Sequence, residues 1–302
     1  MPPDLETVNK IAPTAELEKE RAELRSAEEP THPAWSEQTP ATRPETRHGW
    51  LSALRSFFIF DPLIWSYTLI LGTISLLSSF VDRNGSFQHK CARLWSWLIM
   101  KTILSPVKVT GMSHVATPAH AGVVGRPISP KPRVYAVTHA SALDIPILYV
   151  YLPFQFRIIF KSELLSYPFI GWHLKRSGQV CINQQNPAAS IGSIKSALRS
   201  LRSGMPLVIF PEGGRTRDGQ IQPFLPGAFF LAIKAQAEIV PIALIGTFDL
   251  LPMNTYHIKS QPLEMQVGEP ISTTGLTVND TEEVSAKVKA AIEKLHASPR
   301  TT

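Results

Sequence analysis

Beyond residue 131, short apolar runs alternate with longer amphipathic stretches, and this alternation restricts the fold of the chain more than any other feature. The predicted strands are 134–138, 157–160, 180–182, 207–210, 239–245 and 264–268, and the predicted helices are 142–152, 168–177, 187–203, 226–237 and 281–297. Alternating strands and helices are typical of α/β domains, in which helices connect the strands of a parallel sheet. We therefore predict an αβ sandwich with a largely parallel central sheet.

Ahead of this region, the run 62–81 contains 20 residues without a charge. As a helix, that is roughly the length needed to cross the hydrocarbon core of a bilayer, and Trp65 and Tyr67 near one end suit the headgroup level. The stretch 87–104 mixes basic, aromatic and aliphatic residues, which is typical of an interfacial helix. We predict that 49–108 forms a membrane-associated helix pair. Two core helices of a soluble domain are the alternative, and whether the first helix spans the bilayer stays open.

The net charge of +6 is unevenly distributed, because residues 1–48 carry six Lys/Arg and ten Asp/Glu, a net of −4, which leaves +10 on residues 49–302. The first segment also holds seven prolines and has no sustained apolar period, so it is predicted to be a disordered acidic tail. The basic remainder favours an anionic membrane surface as partner. It lacks the aromatic-interleaved basic stripe of a nucleic-acid-binding protein, so we expect no nucleic acid.

The rest of the chain, 109–302, is expected to be the α/β domain. Within it, 112–131 is predicted to be a loop insertion because five of its 20 residues are Gly or Pro. Cys91 and Cys181 are too few for a disulfide framework and show no metal-ligand spacing. Such cysteine usage favours a reducing, intracellular compartment.

The first segment with a chemical pattern places His139 five residues ahead of Asp144, directly after the strand 134–138. His139 is therefore expected at the carboxyl edge of the sheet, where α/β proteins usually bind ligands. If the chain turns between them, the carboxylate accepts a hydrogen bond from one ring nitrogen and leaves the other as a general base. A loop histidine followed by an acidic residue that caps a helix is the alternative.

The second segment follows the strand 207–210 and so reaches the same edge of the sheet. It contains one acidic residue, two glycines and two arginines, namely Glu212, Gly213, Gly214, Arg215 and Arg217. Glycines let a backbone approach a ligand closely, and guanidinium groups match the geometry of phosphate oxygens. The pattern favours an anion-binding loop, and an ordinary turn with solvated charges is the alternative.

Together, His139-x4-Asp144 and the segment 210–216, Phe-Pro-Glu-Gly-Gly-Arg-Thr, resemble the glycerolipid acyltransferase family, particularly its bacterial 1-acyl-glycerol-3-phosphate acyltransferases. The resemblance covers roughly 50–275 and includes the segments 161–172 and 240–244. Two departures stand out. Gln184 occupies a position where similar family members usually carry a phosphate-binding arginine, and Gly214 replaces the commoner threonine.

The resemblance implies that the protein transfers a fatty acyl group from acyl-CoA or acyl carrier protein to the sn-2 hydroxyl of lysophosphatidic acid. His139 would be the base and Asp144 would hold its ring. Glu212 would contact the glycerol portion, with Gly213, Gly214 and Arg215 at the phosphate. The possible substitutes for the missing arginine are Lys161, Arg176, Arg215 and Arg217. The resemblance implies no metal and no cofactor besides the acyl thioester, and it places the enzyme at the inner membrane with the catalytic domain on the cytoplasmic side.

Three alternatives remain open. The acceptor is another lysolipid, as Gln184 would allow. The protein is a serine hydrolase that uses Ser141 as its nucleophile. Or the chain is a non-catalytic membrane-binding module.

Overall fold

A computed structural model of the protein describes residues 50–82, 84–115, 132–167, 170–183, 187–255 and 257–298. The predicted acidic tail 1–48 and Gln184 lie outside the described residues. Of the predicted loop 112–131, only the first four residues are described, and Met112–His114 forms a 3-10 helix there.

The amino-terminal helices pack against each other as a pair. Helix α1 (Trp50–Arg55), a π-helical turn (Ser56–Phe60) and α2 (Asp61–Ser78) follow one another without a break, and α3 (Ser86–Ile103) returns beside them. Trp95 Nε1 donates a hydrogen bond of 3.0 Å to the hydroxyl of Thr68, which joins α3 to α2. Among the described residues, Ala53–Ser78 is the one helix long and apolar enough to cross a membrane, and little of it is buried.

A seven-stranded sheet forms the centre of the domain, in the order β1-β7-β6-β2-β5-β3-β4. The strands are β1 (Val107–Thr110), β2 (Arg133–Val137), β3 (Arg157–Lys161), β4 (Val180–Ile182), β5 (Leu207–Ile209), β6 (Glu238–Ile245) and β7 (Leu263–Val267). Every neighbouring pair is parallel except β6 and β7. The largely parallel α/β sheet is therefore confirmed.

The remaining helices connect the strands across both faces of the sheet. They are α4 (Asp144–Tyr151), α5 (Ile170–Arg176), α6 (Pro187–Arg202), α7 (Phe230–Lys234), α8 (Thr247–Leu250) and α9 (Thr281–Ala297), with 3-10 turns at Ser162–Ser166, Pro226–Phe229 and Val278–Asp280. The helix predicted for 226–237 is thus divided into a 3-10 turn and a short α-helix. Strand β1 was not predicted, and the sheet takes in Val107 and Lys108, which the sequence had left with the helical segment.

Alternate residues of the central strands pack into two separate cores. On β2, Tyr135 and Val137 face α3 and α4, whereas Val134 and Ala136 face α6, α7 and α9. Successive side chains of a strand point to opposite faces, so a strand buried on both sides is apolar at nearly every position. This three-layer packing fixes the carboxyl ends of β2, β5 and β3 side by side.

Candidate active site

The two sequence motifs leave the sheet at the same edge. Strands β2 and β5 are parallel neighbours with Ala136 opposite Ile209, so His139 and Glu212 follow adjacent carboxyl ends. Strand β3 is the next neighbour of β5 and ends at Lys161. Ligands of open α/β sheets bind outside these carboxyl ends, and the structure thus brings His139, Glu212 and Lys161 to one edge of the sheet.

The loop after β2 folds back so that Asp144 reaches the ring of His139. Nδ1 of His139 lies 2.9 Å from Oδ2 of Asp144. The same oxygen accepts the N–H groups of Ala140 and Ser141, each at 2.8 Å, because Asp144 is the first residue of α4 and the loop wraps around its carboxylate. Asp144 is fully buried. This contact occupies Nδ1 of His139, so Nε2 is the ring nitrogen that can interact with a substrate.

Phe210 fixes the plane of the His139 ring from the other side. Its ring stacks on the imidazole with centroids 4.0 Å apart and an angle of 22° between the planes. The side chain of His139 remains 15% exposed. The ring is therefore held by Asp144 and Phe210, and it keeps a limited opening to solvent.

Ser141 has a structural role in this loop. Its hydroxyl donates to the carbonyl of Leu251 at 2.9 Å and accepts the N–H of Leu143 at 3.2 Å, and the residue is fully buried. A nucleophilic hydroxyl needs a base to take its proton and an open path to the substrate. The geometry therefore argues against a serine hydrolase that uses Ser141.

Glu212 joins the two motifs, and this differs from the expected contact with a glycerol group. Its Oε1 accepts the N–H of His139 at 2.7 Å, and its Oε2 accepts the N–H of Gln222 at 2.9 Å. The residue is only 3% exposed. Burial raises the pKa of Glu212 to about 7. The nearby Asp144 and Asp218 also raise it, and the two backbone hydrogen bonds oppose the shift. Both carboxylate oxygens are thus held by the protein itself.

The loop 213–222, which we call the anion loop, is fixed by hydrogen bonds within it and to His139. The N–H of Thr216 donates to the carbonyl of His139 at 2.9 Å, and its hydroxyl donates to Asp218 at 2.8 Å. The side-chain amide of Gln222 donates to Thr216 and Asp218 at 3.1 and 2.9 Å. Gly213 has φ of +70°, a conformation that L-residues with a side chain rarely adopt.

Among the described residues, the cations of the site have no hydrogen-bond or ion-pair partner. A Cβ placed on Gly214 would lie 3.7 Å from Nζ of Lys161, so the lysine adjoins the anion loop. Arg215 is half-buried, and Arg217 and Lys161 are exposed. Within the described ranges, none of these three side chains forms an ion pair or a hydrogen bond, and the N–H groups of Gly214 and Arg215 are also unpaired. Basic groups and free N–H groups beside a glycine turn can bind a phosphate.

Sequence reasoning missed three residues that shape this site: Phe210, Thr216 and Gln222. Phe210 belongs to the quoted motif, but nothing in the sequence shows that its ring covers the imidazole. Thr216 and Gln222 contact His139 and Glu212 through backbone N–H groups, which every residue except proline possesses, so residue type does not reveal these contacts. In the part of the chain that the structure describes, no group of three His, Cys, Asp or Glu residues could hold a metal ion.

Comparison with known proteins gives a consistent picture. The model of the acyltransferase family matches residues 106–245. A 1-acyl-sn-glycerol-3-phosphate acyltransferase of Limnanthes douglasii is 30% identical over 179 residues, which is 59% of each chain. The corresponding human beta enzyme is 32% identical over 174 residues, covering 57% of this chain and 60% of its own. The chain spans about three-fifths of the length of these curated relatives.

A solved structure shares the fold. The crystal structure of the 1-acyl-sn-glycerophosphate acyltransferase PlsC from Thermotoga maritima superimposes with a TM-score of 0.61. The match covers 83% of this chain and 98% of that chain, at 21% sequence identity. The likeness includes most of the described architecture.

Proposed function

The chain belongs to the glycerolipid acyltransferase family, and on that premise we propose that it is a 1-acyl-sn-glycerol-3-phosphate acyltransferase. It would transfer a fatty acyl group from acyl-CoA or acyl carrier protein to the sn-2 hydroxyl of lysophosphatidic acid, giving phosphatidic acid. The observation that carries this proposal is the 2.9 Å contact between His139 and Asp144 at the sheet edge that also holds the anion loop. Relatives that bear this enzyme's name support the choice of substrate.

The proposed chemistry needs no covalent enzyme intermediate. Nε2 of His139 takes the proton of the acceptor hydroxyl as its oxygen attacks the thioester carbonyl carbon. The tetrahedral intermediate then expels the thiolate, which takes the proton back from the imidazolium. The Asp144 carboxylate stabilises the imidazolium and fixes its tautomer. The reaction consumes no redox equivalents and, on this proposal, no cofactor.

The acceptor's phosphate would bind at the anion loop. Nζ of Lys161 lies beside Gly214, and Arg215 and the exposed Arg217 follow Gly214 in the anion loop. A phosphate that meets unpaired guanidinium and ammonium groups gains charge-assisted hydrogen bonds. Because Gln184 stands where similar family members usually carry a phosphate-binding arginine, a different lysolipid is the second candidate acceptor.

We assign Glu212 a positioning role instead of contact with the glycerol portion. Its carboxylate holds the N–H of His139 and the N–H of Gln222 at the same time, and it is nearly inaccessible to a ligand. A buried carboxylate that receives two N–H donors ties together the segments that carry them. Glu212 would thus keep the base at a fixed distance from the anion loop.

Membrane association is the remaining part of the proposal. The α1–α2 helix is tied to the α/β domain at both ends, by Ser56, whose hydroxyl accepts the N–H of Ile258 at 3.0 Å, and by Ser75, which contacts Nδ1 of His173 at 2.8 Å. A helix rises about 1.5 Å per residue, so these ties are roughly 30 Å apart. A helix held along the domain in this way would lie in the surface of one leaflet and not cross the bilayer. We expect this leaflet to be the cytoplasmic one of the inner membrane.

Acyl transfer by the purified, detergent-solubilised protein tests the function. Lysophosphatidic acid and a set of other lysolipids are each offered with acyl-CoA and with acyl carrier protein, to the wild type and to His139→Ala. We expect phosphatidic acid from the wild type and a loss of rate on the order of 10²–10⁴ in the variant, the usual contribution of a general base. His296→Ala, an exposed histidine on α9, is the control and should keep full activity.

Three results separate the alternatives. Product from another lysolipid alone keeps the chemistry and changes the acceptor. Substantial activity in folded His139→Ala contradicts the proposed mechanism. Absence of product with every acceptor and donor favours a non-catalytic membrane-binding module.

A further inference from the structure

Exposed large apolar side chains occur in two stretches only of the part of the chain that the structure describes. The first is 54–104, the helix pair already proposed to meet the membrane. The second belongs to the α/β domain and consists of Leu164, Leu165, Tyr167, Ile170 and Trp172, which are 36–57% exposed. Contiguous exposed apolar surface on a folded domain marks an interaction site. We call the described residues 162–167 and 170–172 the apolar segment.

The apolar segment has a fixed local structure. It begins as the 3-10 turn Ser162–Ser166, and the N–H of Gly171 donates to the carbonyl of Tyr167 at 2.8 Å. A Cβ on Gly171 would lie 2.4 Å from the carbonyl oxygen of Leu165, so only glycine allows this close approach. The exposure of the leucines and aromatic residues is therefore a property of a compact turn.

The apolar segment continues the exposed surface of α2. Directly after it, His173 contacts Ser75, and burial lowers the pKa of His173 to about 4, so this contact involves a neutral ring at physiological pH. The guanidinium of Arg176 donates to the hydroxyl of Ser79 at 3.1 Å and lies 4.6 Å from the ring centroid of Phe80. These contacts place the segment against the carboxyl-terminal end of α2, where Leu77 and Phe80 are also exposed.

Exposed cations flank the apolar segment at both ends. Lys161 precedes it, and Lys175 and Arg176 follow it, all exposed. Aromatic side chains at the headgroup level with basic residues toward lipid phosphates are the pattern of proteins that rest on an anionic bilayer. The charge and the apolar surface thus fit one partner, a leaflet that contains anionic phospholipid.

We propose that the apolar segment inserts into the boundary between headgroups and acyl chains of such a leaflet, as a membrane contact in addition to the helix pair. Lys161, beside Gly214, immediately precedes the segment. A lysolipid in the same leaflet would therefore reach the anion loop along this edge without leaving the membrane. The insertion is independent of the reaction, whereas this entry route rests on the proposed function.

Depth-dependent fluorescence quenching tests the insertion on the full chain. In a background of Cys91→Ala and Cys181→Ala, an environment-sensitive fluorophore is attached to Leu165→Cys, and the protein is mixed with phosphatidylcholine vesicles with and without anionic phosphatidylglycerol and brominated acyl chains. We expect at least twofold quenching with anionic vesicles. Leu69→Cys on α2 is the positive control, and Ser203→Cys, exposed after α6, is the negative control. Quenching at position 69 with none at position 165 would overturn the proposal.

The entry route has its own test in the double variant Leu164→Ser/Leu165→Ser. We expect kcat/KM for lysophosphatidic acid in vesicles to fall about tenfold, because two apolar anchors are lost from the interface. The value for a monomeric short-chain lysolipid in water should stay unchanged. Equal losses on both substrates would contradict the route. If the wild type transfers no acyl group at all, the proposed function fails, and the quenching experiment still decides the insertion.

Discussion

The two halves of the site treat their polar groups in opposite ways. Around His139 the protein supplies the hydrogen-bond partners itself, because Asp144 accepts from the ring and Glu212 accepts from the backbone N–H. In the anion loop, Arg215 and the neighbouring Lys161 are left without partners among the described residues. The first half is complete before a substrate arrives, and the second half becomes complete only with an anion in place.

This difference assigns separate kinetic roles to the two halves. A prearranged base acts on the transition state, so changes near His139 should lower kcat. An unpaired cation binds the substrate and the transition state similarly, so changes in the anion loop should raise KM for the acceptor. The following predictions test whether the division holds.

The largest effect is expected from Asp144→Asn. The amide cannot stabilise the imidazolium, and it weakens the bonds from Ala140 and Ser141 that end on the same oxygen. We expect kcat to fall on the order of 10²–10⁴, the range of general base catalysis, and the free energy of unfolding to drop by about 1–3 kcal/mol. Steady-state kinetics with saturating acceptor and thermal unfolding measure both quantities.

The control for this variant is Asp280→Asn. Asp280 closes a capping box with Thr277 ahead of α9, far along the chain from the site. Its loss should lower stability by about 1 kcal/mol and leave kcat unchanged. If kcat falls equally in both variants, the effect of Asp144 is one of stability alone, and the first half of the comparison is wrong.

The pairing of His139 with Asp144 was predictable because it follows from residue types at a fixed spacing. Both side chains of the pair can be identified in the sequence, and the residues ahead of His139 are apolar enough to be recognised as a strand. The strands of the centre were predictable for the same reason, since burial on both faces leaves runs such as Leu207–Ile209. Strand β1 was missed because it is short, alternates Val with polar residues, and pairs with β7, more than 150 residues later in the chain.

The second prediction concerns Glu212→Gln and the pH dependence of stability. The folded-state pKa of about 7 lies above the usual 4.5, so the folded protein binds a proton at Glu212 more tightly than the unfolded chain does. The contribution of this proton to the free energy of unfolding is fully present below pH 4.5 and is lost as the pH rises through 7. Relative to Glu212→Gln, the wild type should therefore lose about 2–3 kcal/mol between pH 5 and 8.

Unfolding at a series of pH values measures this difference. Parallel curves for the two proteins would show that Glu212 ionises normally. Hydrogen exchange adds a test of the positioning role, because a glutamine has one acceptor oxygen for the two N–H donors. The amides of His139 and Gln222 should exchange faster in the variant. The two hydrogen bonds that Glu212 accepts could not be predicted from the sequence, because their donors are backbone N–H groups.

The third prediction concerns the anion loop and uses the variant Arg215→Ala. A charge-assisted hydrogen bond is worth about 1.5–3 kcal/mol, so KM for lysophosphatidic acid should rise about 10- to 100-fold. The value of kcat should change no more than about threefold, because the base is untouched. Arg199→Ala, an exposed arginine on α6, is the matched control. A large fall in kcat with an unchanged KM would show that Arg215 acts in catalysis and not in binding, and would contradict the proposed division of roles.

The smallest effect compares the two glycines at the start of the anion loop. Gly213 has φ of +70°, so Gly213→Ala should lower the free energy of unfolding by about 1–2 kcal/mol. Gly214 lacks a positive φ, and its nearest neighbour would be Nζ of Lys161 at 3.7 Å, so Gly214→Ala should change stability by less than about 0.5 kcal/mol. Its methyl group would instead lie where the phosphate is expected and raise KM. Thermal unfolding and kinetics of both variants therefore separate the residue that shapes the turn from the residue that leaves room for the ligand, and equal stability losses would contradict the geometry of the loop.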